Sequence, residues 1–146
     1  MTKVEYERKI QEILQEIANE NNLLNKWKEK LDVLKEFDAK CREKAQSFEY
    51  SIQKRRRKIT SIEHLVMRVK SISKYRDNMN ELLNGVYYRK AKKQIEDMLD
   101  RNEKQKITLK YEINDIENRI KKLRIALEKY QYELCRCIAE ENRGGE

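Results

Sequence analysis

Proline is absent from this 146-residue chain, and glycine occurs three times, at Gly85, Gly144 and Gly145. These two residues are the strongest punctuators of regular structure, so almost the whole chain runs with one interior breaker. A compact β or α/β domain needs more turns than this sequence supplies. No run approaches the ~20 consecutive apolar residues of a membrane-spanning helix. The N-terminus, MTKVEYERKIQEILQEI, lacks the unbroken apolar core of a secretory signal. A cytoplasmic protein is expected, with any export independent of a signal peptide. Three cysteines make an odd count and suggest no disulfide framework, which fits a reduced compartment.

Chemistry-bearing motifs are equally scarce. The one histidine, His64, reads as solvent-facing, and Cys135-Arg136-Cys137 with the distant Cys41 lacks the paired spacing of a zinc site. No glycine-rich phosphate loop is present. Acid pairs such as Glu96-Asp97 read as solvated face charges. No catalytic residue, metal or cofactor is expected.

What the sequence has in abundance is charge and period. Charged residues make up 41% of the chain and hydrophobic ones 38%, a balance typical of long helices and coiled coils. Alternating steps of four and three residues from Tyr6 reach Ile10, Ile13, Ile17, Glu20, Leu24, Trp27, Leu31, Leu34, Asp38 and Cys41. They continue through Ala45, Phe48, Ile52, Arg55, Ile59, Ile62, Val66, Val69, Ser73, Arg76, Asn80 and Leu83. A second series runs from Ala91 through Ile95, Met98, Asn102, Lys106, Leu109, Ile113, Ile116, Ile120, Leu123, Leu127, Tyr130, Leu134 and Cys137. A repeat near 3.5 residues keeps one stripe facing a partner helix. Glu20, Asp38 and Arg55 interrupt the first stripe as breaks, register pins or partner-facing sites.

The fold expected is therefore all-α: an elongated antiparallel helical hairpin or a three-helix coiled-coil bundle. Leu83-Asn84-Gly85 reads as its tip, because Asn-Gly supports positive φ and stops a helix. The expected elements are helices over 3–36, 39–83 and 87–141 in a single domain, with a disordered tail over 142–146. The first two are either continuous or broken by a bend near Asp38. With the tip there, the first ~30 residues overhang, roughly 45 Å of helix. Their stripe then awaits either a folded-back third helix or another protein, with Tyr6, Ile10, Ile13, Ile17, Leu24, Trp27 and Leu31 as the partner interface and Trp27 as its anchor.

Net charge is +8 and uneven. Residues 42–77 carry 11 basic against 4 acidic side chains, centred on Lys54, Arg55, Arg56, Arg57 and Lys58. This segment reads first as a solvated belt, and secondarily as a site for an anionic partner such as nucleic acid, a phospholipid surface or an acidic protein.

Phe48, Ser51, Arg55-Arg56-Arg57, Tyr75, Met79, Leu82-Leu83-Asn84-Gly85, Tyr88 and Ala91, followed by a long helix with Ile113, Ile116, Ile120 and Leu123, form a layout that resembles the YwqH-like small helical proteins of Gram-positive bacteria. Those are similar in layout to WXG-type helical hairpins and accompany LXG toxins of the type VII secretion system. The resemblance covers roughly residues 45–127, with Leu83-Asn84-Gly85 in place of the Trp-x-Gly turn. Of the Tyr-x-x-x-Asp/Glu spacing that such proteins carry after the second helix as an export signal, Tyr111 to Asp115 is the match, but in mid-helix, so the resemblance implies a composite signal formed with the partner rather than a self-sufficient one. The resemblance implies a non-enzymatic accessory that pairs with the helical N-terminal domain of a toxin. The alternatives are a structural coiled-coil homo-oligomer and a nucleic-acid-associated protein using residues 54–58.

Overall fold

The structure is a computed structural model that describes residues 1–65 and 70–145. It is all-α. Helix α1 spans Lys3–Ile62, a 3-10 turn follows over Glu63–Leu65, α2 spans Lys70–Asn84, and α3 spans Val86–Gly144. Thr2 starts α1 with a reciprocal cap: its amide donates to Glu5 Oε2 at 2.6 Å, and its hydroxyl accepts from the Glu5 amide at 3.3 Å. At the other end, Thr60 Oγ1 and Ser61 Oγ bond back to the Arg56 and Lys58 carbonyls at 3.1 and 2.6 Å. Hydroxyls that compete for backbone partners in this way weaken a helix, and α1 ends directly after them.

The chain divides into two compact units, residues 1–33 with 107–146 and residues 34–106. In the first, α1 and α3 pack antiparallel. Tyr6 stands against Tyr130 with ring centroids 6.4 Å apart, Glu20 meets Arg119, and Lys28 meets Glu117. Its buried apolar side chains are Ile10, Ile13 and Leu31 on α1 and Ile116 and Ile120 on α3, with Ile116 fully enclosed at 0% exposure. In the second, α1 faces the α2–α3 arm, also antiparallel. Cys41 meets Met98, Phe48 stacks on Tyr88 at 6.0 Å, and Glu63 pairs with Arg76 at 3.2 Å. Ile52, Ile59 and Leu83 form its buried cluster, flanked by Phe48, Met79 and Tyr88.

The hairpin is as expected, but its tip is not at Asn84-Gly85. Arg56 lies beside Leu83 and Asn84, and Glu63 beside Arg76, so the chain reverses between the end of α1 at Ile62 and the start of α2 at Lys70. Gly85 marks a break within the returning arm. No glycine among the described residues has positive φ. Gly85 is needed for another reason: a Cβ there would overlap the Glu81 carbonyl oxygen. Of the two alternatives at Asp38 the continuous helix holds, so no third helix folds back there. One further correction concerns the tail: α3 stays helical to Gly144 where disorder was expected from 142. Among the described residues no helix is long and apolar enough to cross a membrane.

Candidate interaction surfaces

Moving the reversal towards residue 70 changes the role of the N-terminal stripe. Tyr6, Ile10, Ile13, Ile17, Leu24, Trp27 and Leu31 are the stripe expected to face a partner. Ile10, Ile13 and Leu31 are instead buried in the first unit, and Tyr6, Ile17, Leu24 and Trp27 are half-buried on the same seam. The expected overhang does not exist, because the C-terminal half of α3 covers it. The Lys30 ammonium lies 4.4 Å from the Trp27 ring centroid.

Both interruptions of the seam that stayed on it are register pins. In the first unit, Arg119 donates from Nε to both Glu20 carboxylate oxygens at 3.2 Å and from Nη2 at 3.1 Å. In the second, Asp38 is buried at 3% exposure yet fully engaged. It accepts from Lys106 Nζ at 2.9 Å, from Arg42 Nε at 2.9 Å and from Asn102 Nδ2 at 3.2 Å. Lys106 and Arg42 hold the carboxyl well below its usual range, at about 2, with Asn102 adding a third bond. Lys106 is itself raised by its bonds to Glu103 and Asp38. Such a knot resists slippage of one helix on the other, since any shift would strand a buried charge.

Arg55 is the exception. It is exposed, and Arg56 takes the inward position, so the seam steps from Ile52 to Arg56 to Ile59. Ile52 to Ile59 spans seven residues either way, so the heptad is kept and only the position between them moves, by one residue. Arg56 Nη2 donates to the Leu83 carbonyl at 3.3 Å and to Asn84 Oδ1 at 3.0 Å, and the guanidinium lies 5.1 Å from the Tyr88 ring centroid. It thereby closes the carbonyl end of α2, where orphan acceptors and the helix dipole favour a cation. Leu83, Asn84 and Gly85 are thus a capped joint.

Lys54, Arg55, Arg57 and Lys58 remain exposed on α1, and no ion pair engages them. The same holds for Arg89, Lys90, Lys92 and Lys93 at the start of α3. Folding brings these cations into one unit, a grouping that the linear run 54–58 shows only in part. The outer face of α3 in the first unit carries a second feature that the stripe analysis missed. Ile107, Tyr111, Ile125 and Tyr132 are exposed on the side away from the seam, and Ile107, Lys110, Tyr111 and Asn114 line an open groove of about 290 Å³. The signal was available: Tyr111, Ile125 and Tyr132 stand at multiples of seven residues.

Among the described residues no three His, Cys, Asp or Glu side chains gather as metal ligands. Cys41 is buried against Met98, Cys135 is exposed, and Cys137 is half-buried. The His64 side chain, like residues 66–69, lies outside what is described. No family model matches the chain, and neither a curated protein nor a solved structure matches it.

Proposed function

We propose that this protein is a non-enzymatic helical adaptor that pairs with a helical domain of another protein, and that the partner is an LXG-type toxin bound for type VII secretion. The reading rests on the outer stripe of α3. Each unit consumes its inner seam internally, while Ile107, Tyr111, Ile125 and Tyr132 stay exposed on α3 of the first unit. Exposed aromatic and branched side chains at helical spacing are what a second helix packs against, and tyrosine is a common anchor at such contacts. Tyr111 and Asp115, the pair at the spacing associated with export, are both exposed on α3. The toxin as partner comes from the resemblance over residues 45–127, and the stripe is independent of it.

The test is coexpression with the N-terminal helical domain of an LXG toxin encoded beside this protein, followed by sizing of the purified complex. A one-to-one complex is expected, lost in the Tyr111→Lys, Ile125→Lys double variant while helicity is retained. Failure to co-purify removes the toxin. A stable homodimer disrupted by the same two substitutions makes this protein a self-associating coiled coil.

A further inference from the structure

The joint between α2 and α3 presents an apolar centre inside a cationic surround. Leu82, Val86 and Tyr87 are exposed there, Val86 at 69% and Tyr87 at 82%. With Asn78, Glu81, Gly85 and Arg89 they line an open groove of about 590 Å³. Arg89, Lys90 and Lys93 follow immediately on α3, all exposed and none ion-paired. In the sequence, residues 50–93 hold thirteen Lys or Arg against three Asp or Glu, so this stretch carries more than the whole positive excess of the chain. Elsewhere lysines and arginines are repeatedly matched to carboxylates, as at Glu20 and Asp38.

We infer that this face docks the protein on an anionic phospholipid surface. Cations alone suit any polyanion, and a nucleic acid backbone would engage them through counterion release. The aliphatic side chains decide between the two. A phosphate backbone gives Leu82 and Val86 nothing, whereas the interfacial zone of a bilayer takes up apolar side chains and attracts cations together. Tyr87, apolar in body and polar at its tip, suits the headgroup level. Glu81 is the carboxylate in the groove wall and sets a limit on the attraction. The surface lies wholly in the second unit and shares no residue with the α3 stripe assigned to a protein partner, so the two predictions fail separately.

The experiment is sedimentation of the full chain with vesicles of equal parts phosphatidylglycerol and phosphatidylcholine, against vesicles of phosphatidylcholine alone. Partitioning to the anionic vesicles is expected, weakening as salt rises. The Arg89→Gln, Lys90→Gln, Lys93→Gln variant should partition on the order of a hundred-fold less, at about five-fold per cation removed. The Leu82→Ser, Val86→Ser, Tyr87→Ser variant should also lose vesicles while its shift of a duplex DNA probe stays unchanged. Because the joint itself could be disturbed, Tyr87→Trp supplies a reading without loss: its emission should move to the blue with anionic vesicles. No partitioning at low salt, or no blue shift, overturns the inference. Duplex DNA binding that outlasts vesicle binding hands the face to nucleic acid.

Discussion

Arg56 on α1 and Leu83 on α2 meet across the second unit, the guanidinium donating to a carbonyl at the end of a helix that stops one residue later. The contact ties a cation from the most basic run in the sequence to the one interior glycine break. It also explains why Arg56 is half-buried while Arg55 and Arg57 are exposed. Arg56→Met should cost about 1–2 kcal/mol in chemical denaturation, because the carbonyl and the Asn84 side chain lose a charged donor. Arg55→Met should stay within about 0.5 kcal/mol, as expected of an exposed position. Equal effects would mean that the seam does not shift at this point.

Gly85→Ala tests the joint through its sign. In an ordinary helix interior, replacing glycine with alanine stabilises by about 1 kcal/mol. Here the new Cβ overlaps the Glu81 carbonyl, and the backbone has to give. A lowered melting temperature is expected. A raised one would show that α2 and α3 can join as a continuous helix at no cost.

The two surfaces of α3 in the first unit should respond oppositely. Ile116→Ala empties a fully enclosed position and should destabilise by about 2–4 kcal/mol. Tyr111→Ala, on the outer face, should change stability by less than about 0.5 kcal/mol. Trp27→Ala should lower the melting temperature of the free chain, since its seam is closed by α3. Unchanged melting for Trp27→Ala would reopen the N-terminal stripe as a free interface.

Acid should weaken the second unit through Asp38. Its folded pKa, about 2, lies below its ordinary value of 3.8. The unfolded chain therefore takes up the proton first on acidification. The stabilisation is fully present above pH ~4 and disappears as pH falls from there towards about 2. Thermal melts across that window should show a slope that Asp38→Asn flattens, at the expense of lower stability at neutral pH. Lys106→Met should destabilise as well, by leaving the carboxylate with one cation fewer.

The helical class, the two stripes and nearly every position on them were legible in the residues. A 3.5-residue period can be satisfied only by helices that face helices, and Ile10, Ile13, Ile116 and Ile120 are buried where the stepping placed them. Glu20 and Asp38 stood out as interruptions, though their partners Arg119, Asn102 and Lys106 did not. A salt bridge between residues far apart along the chain leaves no local trace. The turn was misplaced because Asn84-Gly85 is the strongest local breaker, whereas the true break follows Thr60 and Ser61, whose hydroxyls bond back to the helix more quietly.

Composition and period by themselves determined that this chain forms long amphipathic helices and which side of each turns inward. Only the tertiary structure decided where the chain reverses and therefore which stripe meets which. Periodicity specifies a face but carries no register. That came from long-range partners, chiefly the Asp38 knot and the Arg56 cap, and a shift of the reversal towards residue 70 turned an apparently vacant interface into a core.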